Sequence, residues 1–129
     1  MAERTLISTG SPFEKVAGYS RAVKVGNMVY VAGTTGYDYT TMTLPEDVVD
    51  QAKNCMETIK KALEDAGSSL EDVVRAHYYV TDQSYGEAVF KVVGSYFADI
   101  RPVATMVVCG LLNDDMKVEI EVTAQTACD

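Results

Sequence analysis

Several segments of this chain are apolar on both sides of an extended ribbon, yet the pattern supplies only two helices to cover them. Residues 103–109 place Val103, Val107 and Cys109 on one side and Ala104, Met106 and Val108 on the other. Residues 72–81 likewise set Val74, Tyr78 and Val80 against Val73 and Tyr79. Strands of this kind are normally covered on both faces. Two helices cover one face of a sheet, and a large exposed apolar patch is unusual on a monomer. A second copy of the chain is the simplest cover, so the pattern predicts a homo-oligomer.

Residues 20–25 and 28–33 flank Gly26-Asn27, where glycine supplies the positive φ of a type II′ turn, which predicts a tight hairpin. A first strand is expected over 4–8, followed by a loop through Thr9-Gly10-Ser11-Pro12. Thr43-Leu44-Pro45-Glu46 offers a hydroxyl cap, a first-turn proline and an acid three residues after the cap. A helix over 45–66 follows, with Val48, Val49, Ala52, Cys55, Met56, Ile59, Ala62, Leu63 and Ala66 at three- and four-residue steps, and it ends at Gly67. After a strand over 72–81, Ser84-Tyr85-Gly86-Glu87 reads as a second capping box, opening a helix over 84–98. Strands over 103–109 and 117–124 close the chain. The order β-β-β-α-β-α-β-β predicts an α+β fold: a mixed sheet, partly parallel around its fourth strand, with antiparallel hairpins at its ends and both helices on one face. At 129 residues the whole of 1–129 is expected to be one domain.

Charge excludes some functions. The formal net charge of −8, with Lys and Arg scattered, disfavours nucleic-acid binding. No apolar run reaches the roughly 20 residues of a membrane span, and the N-terminus lacks a secretory pattern, so a cytoplasmic address is expected and no membrane partner. Asp114-Asp115 reads as a turn pair, and no ligand spacing predicts a metal or another cofactor. Cys55 and Cys109 read as buried small hydrophobes, and Cys128 as a terminal thiol.

Gly18-Tyr19, Val25-Gly26-Asn27-Met28-Val29, Val31-Ala32-Gly33, Leu44-Pro45, Leu63-Glu64-Asp65-Ala66-Gly67, Asp72-Val73-Val74 and Val118-Glu119-Ile120-Glu121 occur in an order and spacing that resemble the RidA (YjgF-like) family over nearly the whole chain. The resemblance implies a chorismate-mutase-like fold and a homotrimer with a central barrel and intersubunit clefts. It also implies hydrolysis of reactive imines and enamines to ketoacids and ammonia, a deaminase reaction. Tyr19, Gly33 and Glu119 match cleft positions, with Glu119 in the role of the catalytic residue that orients water. Ala32 stands for a common serine and Met106 for a frequent cysteine. Ala104 stands where the family's deaminases carry the arginine that grips the substrate carboxylate. Arg101, three residues away in an alternating strand, is expected to point elsewhere, and Arg75 in a central strand is a weaker substitute.

Two functional readings follow. In the first, the clefts hydrolyse an imine or related small molecule that lacks the amino-acid carboxylate. In the second, they bind a small metabolite without turnover. Each residue also has a plainer role: Glu119 and Glu121 as a solvated strand face, Tyr19 as loop packing, Gly33 as a strand exit, and His77 as a hydrogen-bonded structural residue. Tyr37-Asp38-Tyr39 is either a turn or a pocket rim.

Overall fold

The computed structural model describes residues 3–127. Six strands form one mixed sheet: β1 (Arg4–Ile7), β2 (Ala22–Val25), β3 (Met28–Thr35), β4 (Val73–Val80), β5 (Val103–Val108) and β6 (Val118–Gln125), in the spatial order β1-β2-β3-β6-β4-β5. The β2–β3 hairpin is as expected, with Val25 opposite Met28 and Gly26 at φ 59°. Helices α2 (Val48–Asp65) and α3 (Gly86–Phe97) pack against each other on one face of the sheet. Ala52, Cys55, Met56, Ile59, Ala62 and Leu63 of α2 meet Val118, Ile120, Val122 and Ala124 of β6 in the core. The expected α+β architecture stands.

Four details depart from the sequence reading. First, a six-residue helix, α1 (Pro12–Ala17), replaces the loop after β1. It is too short to show a helical period, but Ser11 caps it, Pro12 opens it and Gly18 closes it. Second, α2 starts later than expected. Asp47 Oδ1 accepts from Val49 N at 2.7 Å, and the preceding segment is held instead by an Asp38–Thr43 bridge and by Gln51 Nε2 on the Pro45 carbonyl at 2.7 Å. Third, Asp82, not Ser84, caps the entry to α3: its Oδ1 accepts from Ser84 N, and a short 3-10 turn over Gln83–Tyr85 precedes the helix. Fourth, the far end of the sheet is not a hairpin. β6 inserts between β3 and β4, antiparallel to both, and β5 is left as an edge strand parallel to β4.

The register divides the side chains into two rows. Ile120, Tyr78 and Met106 lie side by side toward the helices, whereas Glu119, Tyr79 and Val107 lie toward the open face. Among the described residues neither α2 nor α3 covers the open face, where Tyr30, Val103 and Val107 are 49%, 61% and 44% exposed. Cys55 is buried as expected, Cys109 is only half-buried, and Cys128 lies outside the described residues.

Candidate active site

At the centre of the sheet, β3 carries one residue more than its partner. Val31 pairs with Val122 and Thr34 with Ile120, so Ala32 and Gly33 together oppose the single residue Glu121. This bulge bends the strand and re-aims the residues beside it. The Ala32 amide donates to the Arg21 carbonyl at 2.9 Å, which ties the bulge to β2. Gly33 leaves a hollow into which the Glu119 side chain folds: any Cβ at position 33 would collide with Glu119 Oε2.

Glu119 sits half-buried on the open face, opposite Thr35 and Tyr79. Burial raises its pKa above the ordinary glutamate value, the neighbouring carboxylate Glu121 adds to the rise, and the positive charge of Arg21 opposes it. Glu121 is engaged differently. It accepts from the Tyr79 hydroxyl and lies 3.2 Å from His77 Nδ1. That hydrogen bond, together with burial, pushes the Tyr79 phenol up to about 12. His77 therefore has the hydrogen-bonded structural role expected of it.

Arg21 is the residue that the sequence reading missed. Its side chain is fully buried. Nη1 donates to the Gly33 carbonyl at 2.9 Å and to Thr34 Oγ1 at 3.0 Å, and Nη2 donates to the Tyr19 hydroxyl at 3.3 Å. The guanidinium lies 4.8 Å from the Tyr39 ring centre and 5.5 Å from that of Tyr19. Among the described residues, no carboxylate oxygen lies within 4.0 Å of it, and Nε has no hydrogen-bond partner. The signal was the spacing: Tyr19 and Arg21 stand two residues apart just ahead of β2, close enough for the contact they make.

Tyr19 and Ala32 line an open cavity of about 510 Å³ on the uncovered face, with Glu121 and Tyr30. A second cavity, about 450 Å³, lies against the flank of α2 and is bordered by Arg21, Tyr37, Tyr39, Asn54 and Thr58. The open-face cavity is the candidate site, because its lining residues Ala32 and Glu121 are strand neighbours of Gly33 and Glu119. Tyr37, Asp38 and Tyr39 rim the second cavity; Tyr37 also meets Phe13 edge-on, and the Tyr39 hydroxyl accepts from Thr35 N at 3.3 Å.

Ala104 and Met106 do not join this group within one chain. They pair with Ala76 and Tyr78 on the helix side of the sheet, two strands from Glu119 and on the opposite face. Arg75 is on the open face, but it stands four residues along β4 from Tyr79, about 13 Å away at strand rise. Arg101 precedes β5 in a left-handed conformation, φ 57°, and is farther still. Among the described residues, no group of three or more His, Cys, Asp or Glu could hold a metal ion. No helix among them is long and apolar enough to cross a membrane.

The model of the endoribonuclease L-PSP family matches residues 9–126. The chain belongs to that family, the YjgF/RidA family. A solved structure of a YjgF/YER057c/UK114 family member from Mycobacterium tuberculosis superposes with a TM-score of 0.88 at 42% identity, over 96% of this chain and 100% of that one. A RidA structure from an Antarctic Psychrobacter has a TM-score of 0.80 at 34% identity, over 93% of each chain. Among curated relatives, the 3-aminoacrylate deaminase RutC of Acinetobacter baylyi is 33% identical over 93% of this chain and 95% of its own. Within this YjgF/RidA member, the bulge, Glu119 and Arg21 form one connected unit, and deaminase-type hydrolysis of reactive enamines is supported at the level of the family.

Proposed function

We propose that the chain, a single domain over its 129 residues, assembles as a cytosolic homotrimer and hydrolyses a small imine or enamine in clefts shared between copies. The observation that carries this reading is the Glu119 carboxylate, half-buried in the hollow over Gly33 and held by its surroundings above the ordinary pKa. A carboxylate so placed is a better base than an exposed one. It takes a proton from water as the water oxygen adds to the C=N carbon and the nitrogen is protonated. The carbinolamine then expels ammonia as the C=O bond forms. An enamine enters the same path after protonation at carbon.

The exposed apolar open face supports self-association, and in the proposed trimer Ala104 and Met106 of a neighbouring copy would complete this cleft. Alanine at 104 offers no charge or donor to a carboxylate, so the preferred substrate lacks one. The net charge of −8 argues against RNA as substrate.

Ammonia release from 2-iminopropionate and from a neutral imine, measured beside Glu119→Ala, tests the reading. We expect turnover of the neutral compound that falls by about 10²–10⁴-fold in the variant. Activity on 2-iminopropionate that exceeds activity on the neutral imine would contradict the reading of position 104. Saturable binding of either compound without ammonia release would favour a binding protein.

A further inference from the structure

Tyr19 faces the open cavity, while its hydroxyl oxygen accepts from a cation buried behind it. A phenol has one proton to give. With Arg21 Nη2 donating to the oxygen, the Tyr19 O–H bond is turned away from Arg21, and among the described residues no acceptor takes its proton. Donation from a charged group also polarises the hydroxyl and strengthens it as a donor. Arg21 does not line this cavity: its side chain is fully buried with both aromatic rings beside it, and it borders the second cavity instead. The charges that do face this region are Glu121 and the exposed Arg4 on the cavity wall, with Glu119 beside Glu121 on the open face. Apart from Arg4 the charges around this cavity are carboxylates, which repel an anion, and the Tyr19 hydroxyl is a polarised donor.

We infer that Arg21 is a positioning residue that makes the Tyr19 hydroxyl the ligand-facing donor of this site, and that the site selects a neutral acceptor, a carbonyl oxygen or imine nitrogen, over a carboxylate. The inference rests on the open-face cavity being the ligand cleft, as proposed above. It does not depend on turnover.

Two non-hydrolysable probes differ only in the charge at issue: 2-pyrrolidinone, a neutral lactam, and pyroglutamate, the same ring bearing a carboxylate. Binding of each to the intact protein is followed by NMR shift titration. The lactam is expected to bind about ten-fold or more tightly than pyroglutamate, and Tyr19→Phe to remove most of that difference. Arg21→Met should weaken the lactam as much as Tyr19→Phe does, and adding it to Tyr19→Phe should weaken binding no further, because the two residues act as one unit. Arg21→Lys, which keeps the charge, serves if Arg21→Met does not fold, and should retain part of the lactam affinity. Equal or tighter binding of pyroglutamate overturns the inference, whether or not Arg4→Gln abolishes it. Full additivity of the Arg21 and Tyr19 effects, or no saturable lactam binding, also overturns it. Lactam selectivity without imine hydrolysis leaves the inference standing and removes only the proposed reaction.

Discussion

Glu119 Oε2 occupies the volume that a side chain at Gly33 would need. The obstructing atom is the far end of a flexible side chain, and Gly33 has no positive φ, so alanine is tolerated there if Glu119 moves away. Gly33→Ala is therefore expected to lower imine hydrolysis by about 10²-fold or more while leaving the melting temperature nearly unchanged. A parallel loss of stability and activity, seen by calorimetry beside the ammonia assay, would mean that the glycine serves the backbone and not the acid.

Gly36 makes the opposite prediction. Its missing Cβ would lie 2.5 Å from Gln51 Cα, on the backbone of α2, which cannot step aside. Gln51 is itself fixed by three hydrogen bonds, to the Pro45 and Asp115 carbonyls and from the Lys117 amide. Gly36→Ala should destabilise the fold by about 1–3 kcal/mol in urea titration, as overpacking does.

Burial and Glu121 disfavour the ionised form of Glu119 in the folded state, so its folded pKa lies above the unfolded one. The ionised carboxylate then lowers stability at neutral pH, and that deficit fades as pH falls through the raised folded pKa. Glu119→Gln should consequently be more stable than the parent at pH 8, with the two melting curves converging in acid. A variant that is less stable at pH 8 would show that the carboxylate supports the fold.

The sign reverses at Glu14. Burial pushes its pKa up, but hydrogen bonds from the Thr9 hydroxyl and amide, joined by Ser8 and the charge of Arg21, outweigh that and hold it below the ordinary value of 4.5. Stability from this carboxylate is complete above the unfolded pKa and is lost as pH falls through the depressed folded pKa. Glu14→Gln should cost about 1–2 kcal/mol at neutral pH. The cost should shrink in acid, which denaturant titrations at two pH values would reveal.

Elements whose signals are local could be read from the chain. The β2–β3 hairpin announces itself at Gly26-Asn27, and the buried stripe of α2 is visible in its spacing. The helix starts were misplaced because Asp47 and Asp82 compete with the hydroxyls of Thr43 and Ser84 as caps, and pattern alone does not rank them. The insertion of β6 between β3 and β4 depends on pairings such as Tyr30 with Thr123, far apart in sequence, for which strand alternation gives no signal. The site divides in the same way. Tyr19, Gly33 and Glu119 were found through the family pattern, whereas Arg21 gains its meaning from Gly33 and Thr34, twelve and thirteen residues downstream.

The extra residue in β3 also changes the parity of that strand. Val29 and Val31 point toward the helices before it and Thr34 after it, so odd positions give way to even ones midway along. Regular pairing through both Ala32 and Gly33, with neither bulged out, would turn its last two side chains over together, sending Thr35 inward opposite Val118 and Thr34 outward opposite Glu119. The interior lining and the reactive hollow are thus set by one count, and neither can be re-cut without remaking the other.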